Sequence, residues 1–437
     1  MSSYIPATKS ERLEMLKSIG MSSFDELYSD IPESLRYKKE LNIPSGLSEM
    51  EVAKKIAELA SKNTTFKHIF RGAGSYNHYI PAIVTQVTSK EEFVTAYTPY
   101  QAEISQGVLQ SIFEYQTMIC ELTGLDASNA SVYDGATAAA EAAAMCRDRK
   151  HKTVYISATV DPKVRSVVAT YAFGSGAKLI IVPERDGVTD PDLPSLEKND
   201  AACLIVQSPN YYGIIEDVTA LGQKVHSVGA KLVMSANPIS LGLLKTPAEC
   251  GADIAIGEGQ PLGIPMGFGG PYLGFMTATK AMMRKLPGRI VGQTTDVDGK
   301  RAYVLTLQAR EQHIRREKAS SNICSNEALC AMKAAVYLAC MGSDGLARCA
   351  ENCTTNAHYL LCVLEKLGFK RKYEHEFFHE FVAICPCDAN DLAAKLAKKG
   401  YLSGLPLNEK EMLWCATEMN SADEINSLSG AIAEVLA

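Results

Sequence analysis

The sequence predicts an α/β protein in which a mostly parallel sheet is covered by helices and is followed by a smaller α+β domain. Apolar strand patterns such as "TVYIS", "KLIIVP", "ACLIVQS" and "KLVMSA" alternate with helical patterns through the middle of the chain. Strands that are apolar throughout are typical of parallel sheets buried on both faces. At 437 residues the chain is also too long for one ordinary domain.

We expect three parts along the chain. Residues 1–46 form an N-terminal arm, because a short helix pattern is followed there by connections rich in proline. Residues 47–318 form the large α/β domain, which opens with a capping box of Ser48 and Glu51. Residues 319–437 mix helices with a few strands and form the small C-terminal α+β domain. The arm is too short to bury a core of its own, so we expect it to lie on a partner chain.

Composition excludes several classes of function. A net charge of -6 with dispersed lysines and arginines argues against nucleic-acid binding. No apolar run is long enough to cross a membrane, which predicts a soluble protein. Thirteen cysteines, several of them inside apolar patterns, favour a reducing compartment. The N-terminus has no signal-peptide core, so we expect a cytoplasmic protein.

A phosphate site is one interpretation of "DGATAAAEA", where small residues begin a helix directly after an apolar segment. The backbone N–H groups of Gly135, Ala136 and Thr137 would point at an anion at the positive end of the helix. The alternative is an alanine-rich helix that is simply packed against the sheet. No Walker loop is present.

Three polar residues follow predicted strands at the edge of the sheet where α/β proteins usually build their sites. Asn210 lies in "SPNYYG", Asn237 in "MSANPISL" and Gln260 in "GADIAIGEGQPLGIPMGFGG". The last stretch has the shape of a loop that carries a cofactor lysine, namely an apolar strand, a polar step and then glycines. Its polar step holds Gln260, however, and the nearest lysine downstream is Lys280.

We predict no metal site. "HEFFH" at His375 to His379 has zincin spacing, but its neighbours are β-formers, so the two histidines would not share a helical face. The pairs Cys349/Cys353 and Cys385/Cys387 have spacings that could touch, but no second pair in the sequence completes a zinc set.

Two early stretches, "FRGAGSYNHYIPAIV" and "AYTPYQAEISQG", cluster polar and aromatic residues ahead of a long helix. Such residues are costly to bury without partners, so the cluster is expected to line a surface or an interface. The alternative for each tyrosine is packing with a satisfied hydroxyl. The candidates are Arg71, Tyr76, His78, Tyr97 and Tyr100.

These two stretches, together with "SVYDGATAAAEA", "QSPNYYGIIED", "GIPMGFGGPYLGF" and "HIRREKASSNICSNEAL", resemble the N-terminal or alpha subunit of split glycine decarboxylase. This family is the pyridoxal phosphate (PLP) protein of the glycine cleavage system. The resemblance runs over essentially the whole chain. It implies the aminotransferase-like PLP fold, fold type I, with a large doubly wound domain, a smaller C-terminal domain and an N-terminal arm.

The resemblance also implies a divided enzyme. In this fold PLP needs a phosphate cradle, an acid at the ring nitrogen and a lysine. The acid position is Asn237 and the lysine position is Gln260, so the PLP lysine is expected on a beta subunit in an α2β2 heterotetramer. The pair would decarboxylate glycine and pass the aminomethyl group to the lipoyl arm of H-protein. The degenerate pocket of this chain would then comprise Gly135, Ala136, Thr137, Asn210, Asn237 and Gln260.

The alpha chain could still supply side chains to the site of its partner. On the resemblance, Tyr76, His78, Tyr97 and Tyr100 are expected near cofactor and substrate, with Arg71 on a carboxylate or in a local ion pair. Three further residues could reach the phosphate of the neighbouring PLP: Ser320, Ser321 and Asn322. Two alternatives remain open, a scaffold subunit without catalytic residues and a stand-alone PLP enzyme that uses Lys245 or Lys280.

Overall fold

The computed structural model describes residues 6–39, 41–95, 97–194, 196, 200–267 and 269–437. Ala96 and Phe268, which belong to two of the stretches singled out above, lie outside the described residues. The chain divides into two compact units, residues 1–65 and residues 66–437. The boundaries expected at 46 and 318 stay predictions.

Among the described residues of the first unit, the α-helices are α1 (Lys9–Ser18) and α2 (Glu49–Ala60). Each begins with a capping box, in which a hydroxyl and a glutamate three residues later satisfy each other's backbone N–H groups. The box of Ser48 and Glu51 is confirmed. Two short 3-10 helices connect the α-helices, Phe24–Tyr28 and Glu33–Leu35.

The second unit combines helices with several sheets. Its α-helices are α3 (Ala82–Thr88), α4 (Glu91–Val94), α5 (Gln106–Thr123), α6 (Gly135–Cys146), α7 (Pro162–Ser175), α8 (Val218–Ser227), α9 (Gln312–Arg315), α10 (Ala328–Lys366), α11 (Ala389–Lys398) and α12 (Ala422–Leu436). Its 3-10 helices are Ala102–Ile104, Ser240–Gly242, Met283–Lys285, Gln308–Arg310 and Arg316–Lys318. Its strands are β1 (His68–Ile69), β2 (Ala127–Ser128), β3 (Thr153–Ser157), β4 (Lys178–Val182), β5 (Glu184–Arg185), β6 (Val188–Thr189), β7 (Ala201–Gln207), β8 (Lys231–Ser235), β9 (Ile254–Glu258), β10 (Gly274–Ala278), β11 (Ile290–Thr295), β12 (Arg301–Thr306), β13 (Lys370–Arg371), β14 (Glu380–Ile384), β15 (Tyr401–Leu402), β16 (Leu405–Pro406) and β17 (Glu411–Cys415).

The main sheet has the strand order β2-β10-β9-β8-β7-β3-β4. Strands β9, β8, β7, β3 and β4 are parallel, and β10 runs antiparallel to β9. The α/β class with a mostly parallel sheet is therefore confirmed. Because β7, β8 and β9 are neighbours, the loops that follow them leave the same edge of the sheet, as the sequence predicts. Helix α6 packs its alanines on the sheet in one apolar core.

A second, antiparallel sheet lies in the C-terminal part, with the order β13-β14-β17-β16. Helices α10, α11 and α12 contribute to its apolar core, which includes Trp414 and Phe381. Strand β1 pairs in parallel with β15. The Phe70 N–H then donates a hydrogen bond to the Leu402 carbonyl, and the Phe70 carbonyl accepts one from the Cys415 N–H. This pairing carries the segment after β1 directly onto the C-terminal part of the chain.

Helix α10 is two helices joined at a kink. Gly342 adopts φ 61° and ψ -176°, a backbone conformation that favours glycine, and helical structure resumes directly after it. No described helix is both long enough and apolar enough to cross a membrane.

Candidate active site

The loop of residues 70–79 lies against the C-terminal sheet. The Tyr76 hydroxyl donates a hydrogen bond to Glu380 Oε2 at 2.7 Å, and the Ala73 N–H donates to Glu380 Oε1 at 2.7 Å. Burial raises the pKa of Glu380 to about 7, although these two hydrogen bonds oppose the rise. Glu380 therefore fixes the loop through a carboxyl group that is itself removed from solvent.

Gln260 is the second attachment of this loop. Its side chain is 1% exposed, and its Oε1 accepts the Tyr76 N–H at 2.9 Å. Its Nε2 donates to the carbonyls of Tyr76 at 2.9 Å and Ile264 at 2.8 Å. All of these bonds depend on a group that both accepts and donates, which an amide provides.

The carboxyl group of Glu258, the last residue of β9, lies at the N-terminus of helix α6. Its carboxyl oxygens accept the backbone N–H groups of Gly135 at 3.0 Å, Gln260 at 3.0 Å and Leu273 at 2.9 Å. Desolvation raises its pKa to about 7 against the effect of those hydrogen bonds. A Cβ on Gly135 would lie 2.9 Å from the Glu258 nitrogen, so only glycine allows this close approach of helix and strand.

Asn237 faces a buried histidine. Its Oδ1 accepts the Ile239 N–H at 2.9 Å, and its Nδ2 lies 3.4 Å from His379 Nε2. Burial, together with the nearby charge of His78, lowers the pKa of His379 to about 3, so the ring is neutral. The His379 ring packs on Tyr76 at a centroid distance of 4.7 Å.

These side chains bond to or pack on one another at the carboxyl ends of β8 and β9, where Asn237 and Glu258 are partly exposed and the other four are buried. We call them the filled pocket: Tyr76, Asn237, Glu258, Gln260, His379 and Glu380. His78 lies beside it, with its ring 6.5 Å from the ring of His379, and bonds to Glu418. Glu258 and Glu380 are not among the residues predicted from the sequence, and His379 is considered there only as part of "HEFFH". The structure confirms that "HEFFH" is not helical.

Asn210 and Arg71 bond elsewhere. Asn210 donates to Gly187 O at 2.8 Å and to Glu216 Oε1 at 2.9 Å, which shapes the turn after β7. The Arg71 guanidinium donates to the carbonyls of Ser403 at 3.1 Å and Gly404 at 3.0 Å. Each of these residues holds backbone in place.

The other tyrosines face outward. Tyr97 is 92% exposed and Tyr100 is 62% exposed. Arg289, which the sequence analysis did not identify, donates to the Tyr100 hydroxyl at 3.0 Å and lies over its ring. Tyr100 and Asn322 line one cleft of about 380 Å³, which we call the tyrosine cleft. The side chains of residues 320–322 also line a separate cleft of about 580 Å³.

Glu141 in that separate cleft is a buried carboxyl group on α6. Burial raises its pKa to about 7, and a hydrogen bond from Ser321 partly opposes the rise. The folded chain thus holds the proton more tightly than the unfolded chain, so the free energy of unfolding falls as the pH rises from about 4.5 to about 7.

We therefore expect Glu141→Gln to stabilise the chain above pH 7, by up to about 3 kcal/mol, and to have little effect near pH 4. Urea unfolding of the full chain at both pH values measures the difference. Glu121→Gln, an exposed change on α5, is the control and should shift neither value. Equal shifts at the two pH values would contradict the raised pKa.

Comparison with known families decides the relationship. The sequence model of the family described as glycine cleavage system P-protein matches residues 2–432 of the chain. The chain belongs to the glycine cleavage system P-protein family. The resemblance stated from the sequence is confirmed.

Individual relatives agree with this P-protein assignment. The chain is 50% identical to a "Probable glycine dehydrogenase (decarboxylating) subunit 1" of Moorella thermoacetica, over 99% of this chain and 100% of the relative. It is 41% identical to a crystal structure of glycine decarboxylase (P-protein) in inhibitor-bound form, with a TM-score of 0.94 and coverage of 99% and 100%. Lactobacillus brevis glutamate decarboxylase, at 13% identity, has a TM-score of 0.70 with coverage of 95% and 96%, and shows the fold alone. Fold type I of the PLP enzymes is confirmed.

The filled pocket of this P-protein chain does not fit PLP. The carboxyl group of Glu258 takes the Gly135 N–H that a phosphate would need, and it would repel a phosphate when ionised. Asp134 Oδ1 accepts the Thr137 N–H at 2.7 Å. Gln260 cannot form a Schiff base, and Asn237 cannot supply a negative charge at a ring nitrogen.

Neither remaining lysine replaces Gln260. Lys280 follows β10, whose residue Ala278 pairs with Ile254 at the beginning of β9, so Lys280 lies at the opposite edge of the sheet. Lys245 is exposed on the connection that returns to the beginning of β9. The geometry disfavours a stand-alone enzyme based on either lysine.

Proposed function

We propose that this chain is the alpha subunit of a two-subunit glycine decarboxylase. The complex carries out PLP-dependent decarboxylation of glycine and transfers the aminomethyl group to the lipoyl arm of H-protein. The PLP lysine lies on a beta subunit, and the assembly is α2β2. The observation that carries this proposal is the filled pocket, since a chain of a decarboxylating family whose own cofactor position is closed requires a second chain with an open one.

Two further points support the division between subunits. The relatives are named subunit 1, which implies a subunit 2. Tyr97 and Tyr100 are exposed in the isolated chain, so their side chains are free to contact another subunit. We also place the enzyme in the cytoplasm, a location in which its thirteen free thiols would stay reduced.

Within the complex we assign different tasks to the candidate residues. Tyr97, Tyr100 and Asn322 face the site of the beta subunit, where hydroxyl and amide groups hold substrate or the cofactor phosphate. Arg289 fixes the direction of the Tyr100 hydroxyl. Arg71, Tyr76 and His78 are bonded inside this chain and act by shaping the loop of residues 70–79. Ser320 and Ser321 remain candidates for the phosphate of the neighbouring PLP.

The experiment that tests the proposal compares the purified chain with its mixture with the lysine-bearing partner. Each sample receives PLP and H-protein with an oxidised lipoyl arm as the acceptor of the aminomethyl group, and the visible absorbance of lysine-bound PLP is recorded together with release of CO₂ from carboxyl-labelled glycine. We expect both signals in the mixture and neither in this chain alone. Lysine-bound PLP and full turnover from this chain alone would overturn the proposal.

A catalytic contribution from the alpha chain is tested by Tyr97→Phe and Tyr100→Phe in the assembled complex. Loss of one transition-state hydrogen bond would lower kcat by roughly tenfold per hydroxyl. Light scattering must show an unchanged assembly. Tyr359→Phe on α10 serves as the control, since its hydroxyl bonds only to Asn426 among the described contacts. Unchanged turnover in both variants with intact assembly would instead favour a scaffold subunit.

A further inference from the structure

A buried cluster of potential metal ligands lies beside the filled pocket, and three of its four residues have no task in the proposed function. Cys349 and Cys353 are one helical turn apart on α10, and both are buried. His78 arrives from the loop after β1 and Glu418 from the loop after β17. One donor atom from each residue lies within 4.8 Å of a donor atom from every other. We propose that this thiol cluster binds a zinc ion with the ligands His78, Cys349, Cys353 and Glu418.

The donor set suits zinc in number and chemistry. Two thiolates, an imidazole and a carboxylate are all established zinc ligands, and four of them satisfy its tetrahedral preference. Donor atoms around tetrahedral zinc lie about 3.3 to 3.8 Å apart, given bond lengths of about 2.0 to 2.3 Å. The observed limit of 4.8 Å therefore requires the most distant donor atoms to approach by about 1 to 1.5 Å.

A second observation concerns the buried polar groups beside the cysteines. His78 and Tyr337 both interact with the Cys349 thiol, and neither His78 Nε2 nor Tyr337 Oη makes another well-formed hydrogen bond among the described residues. His78 has a side-chain exposure of 2%. Its Nδ1 lies 2.7 Å from Glu418 Oε2, so Nδ1 is the ring nitrogen placed to share an ion with Glu418, and the zinc would replace that hydrogen bond. Tyr337 belongs to the same apolar core as both cysteines, where its hydroxyl could donate to a bound thiolate.

The ligand loops are also held in place. Glu418 Oε1 accepts the Tyr79 N–H at 2.7 Å, and the Thr417 hydroxyl donates to the Asn77 carbonyl at 2.6 Å. Cys353 Sγ donates to Glu418 Oε2 at 3.3 Å. The two loops and the helix therefore meet at the cluster before any metal arrives, which lowers the cost of ordering the site.

A disulfide is the competing explanation for the two cysteines. Residues four apart in a helix have Cβ atoms about 5 to 6 Å apart, whereas a disulfide requires about 3.5 to 4.5 Å. A Cys349–Cys353 bond would thus distort the helix, while zinc bridges two sulfurs at nearly their natural separation.

The test uses the full chain under reducing conditions. Among the described residues the exposed cysteines are Cys324, Cys340 and Cys362, and all three are replaced by serine to remove competing sites. Titration with zinc alone, followed by mass spectrometry of the native protein, should show one zinc per chain and a rise in Tm of a few degrees. Cobalt(II) in place of zinc should give the visible absorption of a tetrahedral site with thiolate ligands.

Cys349→Ser and Cys353→Ser in this background should each weaken zinc binding by at least about tenfold. Cys385→Ser, a buried cysteine outside the cluster, is the matched control and should bind zinc like the parent. Circular dichroism identifies a variant that has not folded, and for that case His78→Gln provides a second route to the same loss. Absence of zinc uptake or equal loss in the Cys385→Ser control would overturn the proposal, and so would a Cys349–Cys353 disulfide that forms in preference to zinc binding once the reductant is removed.

Discussion

Replacing Gln260 by lysine is expected to destabilise the folded chain by about 2 to 4 kcal/mol without giving it PLP. A lysine has no acceptor, so the Tyr76 N–H would lose its partner at 2.9 Å inside a pocket that excludes water. The Gly135 N–H would still be bonded to Glu258, so the phosphate would have no cradle. Adding Asn237→Asp to the same chain should not change this outcome.

Urea unfolding gives the stability change, and visible absorbance after addition of PLP reports any Schiff base. Gln223→Lys, on the exposed side of α8, introduces the same charge where no hydrogen bond is lost and should unfold like the parent. If Gln260→Lys formed the Schiff base at the stability of the parent, the pocket would be open to the cofactor, contrary to the structure.

Among substitutions of glycine by alanine near the site, Gly213→Ala is expected to be the most destabilising. It should lower the free energy of unfolding by more than about 4 kcal/mol. A Cβ at this position would lie 1.8 Å from the Glu380 carbonyl oxygen, and Gly213 has a φ of +84°. Both the contact and the backbone conformation oppose a side chain. Relief would move the first residue of β14, whose carboxyl group holds Tyr76.

Soluble yield and the urea midpoint of the full chain measure this effect. Gly174→Ala is the matched control, because Gly174 lies inside helix α7 and a Cβ there would meet no atom within 4 Å. That change should raise stability by about 0.5 to 1 kcal/mol. A Gly213→Ala chain within about 1 kcal/mol of the parent would contradict the close approach to Glu380.

Local patterns were sufficient to predict the sheet edge. Strand periodicity placed Asn210, Asn237 and Gln260 after neighbouring parallel strands, and the structure confirms that β7, β8 and β9 are adjacent. The motifs around these loops also identified the family correctly. The prediction succeeded because each strand and its following loop are contiguous in the sequence.

The contents of the site could not be predicted in the same way. Tyr76 and Glu380 are 304 residues apart in the sequence, and His78 and Glu418 are 340 apart. The periodicity of apolar residues cannot predict that such distant residues are in contact, because the contact depends on the pairing of β1 with β15. The same separation in the sequence explains why His78 and Glu418 could not be predicted as neighbours of Cys349 and Cys353.

The pairing of β1 with β15 also has a consequence for biosynthesis. The loop of residues 70–79 leaves the ribosome roughly 300 residues before its partners in the C-terminal sheet. At about 5 to 20 residues per second, this loop waits about 15 to 60 s for Glu380 and Glu418 to be translated. Its tyrosine and histidine side chains remain accessible to chaperones during that time. The nascent chain can therefore complete its main sheet early, but it closes the filled pocket only at the end of translation.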